Sequence, residues 1–173
     1  PPPNRIPVHT EIIDFSEEQI QEIIGAELER HGQVYFVHNR VEDIDGVADI
    51  LRRLCPGARV CVAHGQMEPA VLEKKILEFI DGDYDILLST TIIENGVDIP
   101  NANTMLINRA HTFGLSDLHQ LRGRVGRSNI KAYCYLIVDS TAILSDDAKA
   151  RLNAIETFSD LGSGFNIAMQ DLD

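Results

Sequence analysis

The residue types and spacing best suited to chemistry lie in a short arginine- and glycine-rich string, QLRGRVGR, at residues 120–127. Arg124 and Arg127 are three positions apart, so one helical turn would aim both side chains in nearly the same direction. A guanidinium is planar and always charged, which suits it to phosphate oxygens. Gly123 lets a ligand approach the backbone closely, and Gln120 lies one turn before Arg124. The string predicts a phosphate-binding site; a solvated basic helix end is the alternative.

A second polar segment, TTIIENGVDIP at residues 90–100, directly follows a short apolar run. The hydroxyls of Thr90 and Thr91, with nearby amides, are suited to binding phosphate oxygens. Gly96 permits an unusual backbone angle, and the Asp98 carboxylate can accept a hydrogen bond from a ribose hydroxyl. A plain strand-to-turn connection, with Asp98 capping local amides, is the alternative that the sequence leaves open.

Two smaller polar clusters also follow predicted strands. They are His38-Asn39-Arg40 and His64-Gly65. Taken alone, each cluster is as typical of an ordinary loop as of a ligand site. Their value lies in their position, because ligand sites of parallel sheets gather where the strands end.

Several kinds of chemistry are excluded or disfavoured. The sequence has no G-x-x-x-x-G-K-[ST] loop and no G-x-G-x-x-G, so it cannot hold nucleotide phosphates in the P-loop manner by itself. The three cysteines form no C-x-x-C and the six histidines no H-x-x-x-H, so no metal site is predicted. Reduced thiols suit a cytoplasmic protein. No apolar run is long enough for a membrane helix, and nothing indicates a secretory signal.

The charge is unevenly distributed along the chain. The net charge of −12 argues weakly against nucleic acid, because phosphate binding requires Lys and Arg. Residues 11–29, however, carry acids and no Lys or Arg, whereas residues 109–131 carry five Lys or Arg and one acid. The sequence therefore predicts one acidic face and one cationic segment.

The elements that must position these residues alternate between strand and helix. Short continuous apolar runs such as residues 86–88 are typical of strands buried on both faces. The alternation predicts an α/β domain with a mainly parallel sheet. Strands are expected at 8–14, 34–38, 59–63, 85–89, 104–107 and 133–138, and helices at 16–31, 41–54, 69–80, 115–122 and 148–161. The loops after residues 38, 63, 89, 107 and 138 are the expected places for a site.

The order and spacing of these segments resemble the second RecA-like lobe of a superfamily 2 helicase or translocase. Residues 33–40 resemble motif IV, residues 90–100 motif V, and residues 120–127 motif VI, whose pattern Q-x-x-G-R-x-x-R is met in full. The resemblance covers about residues 8–140. It implies a RecA-like, P-loop NTPase-like three-layer fold with helices on both faces of the sheet. The implied divisions are a linker at 1–7, the helicase C-terminal lobe at 8–142, and the truncated start of a helical (TRG) region at 143–173.

The segment FGLSDLHQL, at residues 113–121, resembles two bacterial families of double-stranded DNA translocases. One family removes stalled RNA polymerase and couples transcription to nucleotide-excision repair; the other, RecG-like, remodels forks. The segments TTIIENGVDIPNANT (90–104) and GQVY (32–35) are closer to the coupling family, although Asn95 stands where Thr or Val is common.

The resemblance also implies roles for individual residues. ATP with Mg²⁺ would be held mainly by a preceding RecA-like lobe of the same protein. Arg124, Arg127 and Gln120 would act at the γ-phosphate, and Gly96, Asp98 and Gly123 would contact the nucleotide. Seven residues would contact the sugar-phosphate backbone of double-stranded DNA: His38, Asn39, Arg40, His64, Gly65, Thr90 and Thr91. RNA polymerase and an excision-repair damage-recognition protein would bind through other domains of the parent protein. The parent protein would be cytoplasmic and would not act at a membrane.

Three alternatives remain open from sequence. A RecG-type lobe is the nearest, distinguished by the module that precedes residue 1. A non-catalytic module that docks a phosphorylated or acidic partner through its arginines is the second. A self-contained enzyme is disfavoured because the P-loop is missing, so the isolated chain is expected to be inactive.

Overall fold

The computed structural model describes residues 6–92, 101–126 and 129–157, which form an α/β domain around one sheet. Its six strands are all parallel and lie in the order β1-β6-β5-β2-β4-β3. The strands are β1 (His9–Asp14), β2 (Val34–Val37), β3 (Val60–Ala63), β4 (Ile86–Ser89), β5 (Thr104–Ile107) and β6 (Tyr133–Val138). The carboxyl ends of all six strands therefore meet at one edge of the sheet.

Within the described ranges, five helices cover the two faces of the sheet. They are α1 (Glu17–Glu29), α2 (Ile44–Leu54), α3 (Pro69–Ile80), α4 (Leu115–Arg122) and α5 (Asp146–Thr157). In the described connections, short 3₁₀ turns lie at Val41–Asp43, Ala110–Thr112 and Thr141–Ile143. Among the described residues, no helix is long and apolar enough to cross a membrane.

Two apolar layers hold the helices against the sheet. On one face, α1 and α2 bury Ile20, Ile24, Ile44 and Leu51 against the strands. On the other face, α3, α4 and α5 bury an equivalent set: Leu72, Ile76, Phe79, Leu118, Leu121, Leu152 and Ile155. Because both faces are covered, the central strands carry apolar residues at successive positions rather than in alternation. The predicted three-layer fold with a parallel sheet is confirmed.

Local sequence signals explain where several helices begin. The Ser16 hydroxyl accepts a hydrogen bond from the Gln19 N–H at 3.2 Å, so Ser16 caps α1 as its capping-box pattern predicts. Helix α5 begins at Asp146, two residues before the predicted start, because the Ser145 hydroxyl accepts from the Ala148 N–H at 3.1 Å. The predicted end of α5 at residue 161 lies outside the described residues.

The predicted helix at 41–54 is divided into two parts. Residues Val41–Asp43 form a 3₁₀ turn, and α2 begins only at Ile44. The Asp43 carboxylate is 2.6 Å from the His38 ring, so this tighter turn brings a charged side chain back towards the end of β2. The difference matters because this turn follows one of the polar clusters found in the sequence.

The acidic segment of α1 is not uniformly solvated. Glu27 is 2% exposed, and its carboxylate accepts two hydrogen bonds from Arg30, at 2.8 and 2.7 Å, and one from the Thr104 hydroxyl. A side chain on Gly32 would overlap this carboxylate, so Gly32 is required here by close approach. Glu27 therefore ties α1 to β5, while Glu18, Glu22 and Glu29 remain exposed.

Candidate functional site

Three of the loops that follow strands are joined by hydrogen bonds at the carboxyl edge of the sheet. The Asn39 side-chain oxygen accepts from the Thr91 N–H at 3.2 Å and from the Thr91 hydroxyl at 2.8 Å. The Thr90 hydroxyl accepts from the Gly65 N–H at 3.0 Å. The loops after β2, β3 and β4 thus form one surface, which we call the loop surface (residues 38–40, 64–65 and 90–91).

Residues of the loop surface differ in how accessible they are. Asn39, Arg40 and Gly65 are exposed, and His64 and Thr91 are half-buried. Thr90 is 4% exposed and His38 is 3% exposed, so the side chains of these two residues lie beneath the exposed ones. A polar surface with one arginine and several amides and hydroxyls is suited to phosphate and sugar oxygens, which such groups bind without reading the base sequence.

The described part of the arginine-rich string is anchored to the segment before β5. The Arg124 carbonyl accepts from the Ala102 N–H at 2.9 Å, and the Asn101 side chain donates to the Gly126 carbonyl at 3.0 Å. Gly126 has φ +89°, and a Cβ there would lie 2.9 Å from the Ala132 Cβ, so glycine is required on both grounds. Gln120 and Gly123 are exposed at the end of α4, and Arg124 is half-buried beside them.

The structure separates arginines that the sequence groups together. Arg122 is 1% exposed, and its guanidinium donates to the Ile155 carbonyl at 2.7 Å. It therefore ties α4 to α5 inside the domain, whereas Arg124 reaches the surface. Of the arginines in residues 120–127 that the structure describes, Arg124 is therefore the one that stays a candidate for binding phosphate.

A buried tyrosine is linked to the loop surface through Ser89. Tyr35 is fully buried, and its hydroxyl is 3.0 Å from the Ser89 hydroxyl, which donates to the Thr90 carbonyl at 2.8 Å. Burial raises the pKa of Tyr35 to about 12, although the Ser89 hydrogen bond and the positive charge of Arg124 act in the opposite direction. The charge of Arg124 therefore lies within electrostatic reach of the polar groups that support Thr90.

The sequence predicts a site in the loop after residue 107 but assigns no residue of that loop to a ligand. Asn108 is 6% exposed, and its side chain is 2.9 Å from the His38 ring. Arg109 is partly exposed with φ +52°, and its guanidinium is 3.5 Å from the Asp139 carboxylate. The signal available in the sequence was an Asn-Arg pair directly after a buried strand. The structure adds both residues to the same edge as the loop surface.

Three predicted nucleotide contacts lie outside the described residues. They are Gly96, Asp98 and Arg127, and their roles stay predictions. The described members of the predicted nucleotide site, Gln120, Gly123 and Arg124, lie at or just after the end of α4, and their roles also stay predictions.

Comparison with known proteins identifies the class. The sequence matches the family described as helicase conserved C-terminal domain over residues 16–129. That span is more than half of the chain, so the chain belongs to this family.

Within that class, the curated relatives point to a particular group. The Transcription-repair-coupling factor of Bacillus subtilis is 52% identical over 99% of this chain and 15% of the relative. The protein of the same name from Staphylococcus haemolyticus is 50% identical over the same shares. The chain thus spans about 15% of the length of these relatives. The resemblance to the coupling family stated from the motifs is confirmed.

Solved structures support the same fold. RecG bound to a three-way DNA junction has a TM-score of 0.78 and 33% identity, over 95% of this chain and 22% of that chain. The C-terminal domain of the DEAD-box protein Dbp5 has a TM-score of 0.62 over 88% of this chain and 86% of that one. At 15% identity, the second likeness shows the fold alone.

Proposed function

We propose that this chain is the second motor lobe of an ATP-dependent double-stranded DNA translocase. The observation that supports it most is the loop surface, in which three polar loops from separate strands are hydrogen-bonded into one patch. A motor that moves over any sequence needs contacts to the DNA backbone rather than to bases. The amides, hydroxyls and single arginine of this patch are of that kind.

Asn39, Arg40, His64, Gly65 and Thr91 are the proposed direct contacts to the backbone. His38 and Thr90 were also predicted as contacts, and we propose that they act from beneath. Their side chains are buried and hydrogen-bonded to other parts of the edge, so they hold the contacting residues in place.

We propose that Arg124 and Arg127, with Gln120, act at the γ-phosphate of ATP held with Mg²⁺ mainly by a preceding RecA-like lobe. Hydrolysis of that nucleotide supplies the free energy for movement. Gly123, Gly96 and Asp98 are the proposed further contacts. Arginine fingers of this kind contribute about 10³- to 10⁵-fold in rate. Because the sequence has no P-loop, the isolated chain is expected to show no turnover.

The coupling-type assignment rests on the names and identities of the relatives. We infer that the parent protein removes stalled RNA polymerase and couples transcription to excision repair in the cytoplasm. Its contacts to RNA polymerase and to a damage-recognition protein would lie in other domains. The proposed divisions are a linker at 1–7, the motor lobe at 8–142 and the start of the coupling (TRG) region at 143–173.

The decisive experiment measures DNA-stimulated ATP hydrolysis by a polypeptide that joins this chain to its preceding lobe. Arg127→Ala and Arg124→Ala are each expected to abolish turnover while ATP binding survives. Arg52→Ala, at an exposed arginine in the last turn of α2, is the control and should leave turnover unchanged. Intact hydrolysis in Arg127→Ala would show that the motif VI assignment is wrong.

Two other functions make different predictions. A module that docks an acidic or phosphorylated partner needs charge alone, so Arg127→Lys would be mild. A motor needs the planar guanidinium, so Arg127→Lys would be severe. A RecG-type fork remodeller, favoured by the TM-score of 0.78, would carry a wedge domain rather than an RNA-polymerase-binding module before residue 1.

A further inference from the structure

Asn108 connects two neighbouring strand ends at the carboxyl edge, yet it belongs to none of the proposed contacts. It is the first residue after β5, and His38 is the first residue after β2, the strand paired with β5. The Asn108 amide nitrogen is 2.9 Å from His38 Nδ1, and its side-chain oxygen accepts from the Arg109 N–H at 3.1 Å. Both Asn108 and His38 are buried.

These contacts determine the protonation of the His38 ring. The Arg109 N–H can only donate, so the Asn108 oxygen faces Arg109 and its NH₂ group faces His38. Nδ1 of His38 must therefore accept, which leaves the ring proton on Nε2. Nε2 is 2.6 Å from the Asp43 carboxylate and donates to it. The hydrogen bond from His38 is the main reason why the pKa of Asp43 lies below its usual value.

Asp43 in turn closes the loop after β2. Its other carboxylate oxygen is 3.7 Å from Arg40 Nε. Asn39, between His38 and Arg40 in the chain, is hydrogen-bonded to Thr91. The chain from Asn108 through His38 to Asp43 thus fixes both ends of the segment that presents Asn39 and Arg40 to solvent.

We propose that Asn108 is a positioning residue for DNA binding, acting through His38 and Asp43 on the loop that carries Asn39 and Arg40. This inference rests on the proposed function, because it assumes that Asn39 and Arg40 contact DNA. Asn108 itself touches no DNA. Asn108 selects the tautomer of His38 that donates to Asp43. Through Asp43 it orders the loop before DNA binds, so less conformational entropy of the loop is lost on binding.

Among the described residues, the charged groups nearest the ring lie on the loop after β2 and on the segments after β5 and β6. Asp43 faces Nε2, and Arg40 lies beyond Asp43. On the other side, Asn108 is neutral, with the Arg109–Asp139 pair next to it. Introducing a carboxylate at position 108 therefore changes the one neutral partner of the ring, and it gives a substitution whose effect depends on pH.

The first test measures the tautomer of His38 in the 173-residue chain by nitrogen-15 NMR of the imidazole. The expected result is that the His38 ring has a protonated Nε2 and an unprotonated Nδ1. A His38 ring with the proton on Nδ1, or one that averages the two tautomers, would overturn the proposal. This measurement needs no substitution, so it holds whether or not any variant folds.

The second test compares variants in the two-lobe polypeptide by duplex DNA affinity and by KM for ATP. Asn108→Ala is expected to weaken DNA binding roughly fivefold to tenfold, the scale of one lost buried hydrogen bond, with KM for ATP unchanged. Asn153→Ala, at an exposed position of α5, is the matched control and should leave both values unchanged. If DNA affinity fell and the KM for ATP rose by the same factor, Asn108 would have a general structural role, and the proposal would be overturned.

Asn108→Asp gives the sharper signature. A carboxylate at 108 and Asp43 both require a donor, and the ring satisfies both only when it carries two protons. DNA binding by Asn108→Asp should therefore be weak where the ring carries one proton and recover as pH falls and the ring gains the second, whereas Asn153→Ala should not show this recovery. A pH profile that matches the unaltered protein would contradict the proposal.

Separate variants test the proposed DNA surface and the positioning role of Asn108. If Arg40→Ala and Asn39→Ala leave DNA affinity unchanged, the proposed DNA surface is wrong. If those variants weaken binding while both Asn108 variants bind normally, the DNA surface stands and the positioning role of Asn108 is wrong.

Discussion

Glu27 is the residue whose place in the structure departs furthest from its place in the sequence. It stands in a run of acids that predicts a solvated face, yet it is 2% exposed. A buried carboxylate is costly unless it is paired and hydrogen-bonded. Arg30 and Thr104 supply those partners, and Arg30 also donates to the Lys131 carbonyl at 2.6 Å. One carboxylate thus joins α1 to β5 and to the segment before β6.

We expect Glu27→Gln to lower the free energy of unfolding by about 2 kcal/mol, the scale of hydrogen bonds to a charged group. The loss is below that of a fully buried pair because Arg30 remains partly hydrated, with 34% of its side chain exposed. Urea unfolding measures the change as a lower midpoint at constant slope. Glu22→Gln, at an exposed position of α1, is the control and should stay within about 0.5 kcal/mol.

Asp85 gives a pH-dependent prediction. Partial burial alone would raise the pKa of Asp85, but hydrogen bonds from the Arg59 side chain and N–H outweigh it, and the pKa lies below its usual value. The ionised carboxylate therefore adds stability above its ordinary pKa, and that stability is lost as pH falls through the lower folded pKa. Unfolding free energy should decline below about pH 4, and Asp85→Asn should decline less.

The control for this prediction is Asp81→Asn, at an exposed carboxylate that follows α3. It should retain the acid decline of the unaltered chain. If Asp85→Asn and Asp81→Asn gave the same pH profile as the unaltered protein, the Asp85–Arg59 contact would contribute nothing to acid stability.

Residue types in the sequence were sufficient to find the loop surface but not to divide it by role. The position of each polar cluster after an apolar run locates the carboxyl edge, and the structure brings residues 38–40, 64–65 and 90–91 together there. Burial of His38, Thr90 and Arg122 could not be read from the sequence. Whether a polar side chain points in or out is decided by partners on distant segments, such as Asn108 for His38 and Ile155 for Arg122.

At the scale of elements, α5 is attached to the site by side chains that reach backbone carbonyls. Arg122 of α4 donates to the Ile155 carbonyl, and Arg151 of α5 donates to the carbonyls of Phe113 and His111, which precede α4. Glu156 accepts from the Ile12 N–H on the edge strand β1 at 2.8 Å. These bonds fix α5 between the edge strand and the helix that leads into the arginine-rich string.

Arg122→Ala and Arg124→Ala should therefore separate stability from activity. Arg122→Ala removes a buried charge-assisted hydrogen bond and is expected to lower the free energy of unfolding by about 2 to 3 kcal/mol. Arg124→Ala should lower it by less than Arg122→Ala does, because Arg124 is only half-buried, while abolishing DNA-stimulated hydrolysis in the two-lobe polypeptide. Urea unfolding and a turnover assay on both variants check this; a stable, active Arg122→Ala would contradict the proposed link between α4 and α5.

Element boundaries were predicted well where a local signal sets them and poorly where a tertiary contact does. Pro69 begins α3 and Ser16 caps α1, as predicted from residue type alone. The 3₁₀ turn at Val41–Asp43, which brings Asp43 to within 2.6 Å of the His38 ring, was not predicted because no local signal in the sequence indicates that contact. The strand order escaped prediction too, since the pairing of β1 with β6 brings together the two ends of the described fold.

On the scale of the whole molecule, the charge distribution restricts where DNA can bind. A net charge of −12 repels a polyanion from most of the surface. The carboxyl edge is the exception in this proposal, since Arg40 and Arg109 lie there. Arg40 is 3.9 Å from the Glu42 carboxylate and 3.7 Å from the Asp43 carboxylate, and Arg109 is 3.5 Å from the Asp139 carboxylate. Binding should therefore depend on a small number of phosphate contacts and show a correspondingly modest dependence on salt concentration.

Arg40 and Arg52 form a matched pair for testing this restriction. Each is about half exposed, and each lies near a carboxylate three positions away, at 3.7 Å for Arg40–Asp43 and 3.8 Å for Arg52–Asp49. Arg40 lies at the carboxyl edge, whereas Arg52 lies in the last turn of α2, which runs back towards the opposite edge of the sheet.

Each phosphate contact contributes about −0.9 to the slope of log affinity against log salt concentration. Arg40→Ala should make that slope shallower by about 1 and weaken binding to all duplex sequences equally, because the contact reads no base. Arg52→Ala should change neither value. Titrating labelled duplexes of unrelated sequence at several salt concentrations measures both. Equal changes in the two variants would mean that long-range charge, rather than the carboxyl edge, holds the DNA, and the placement of the binding surface would then be wrong.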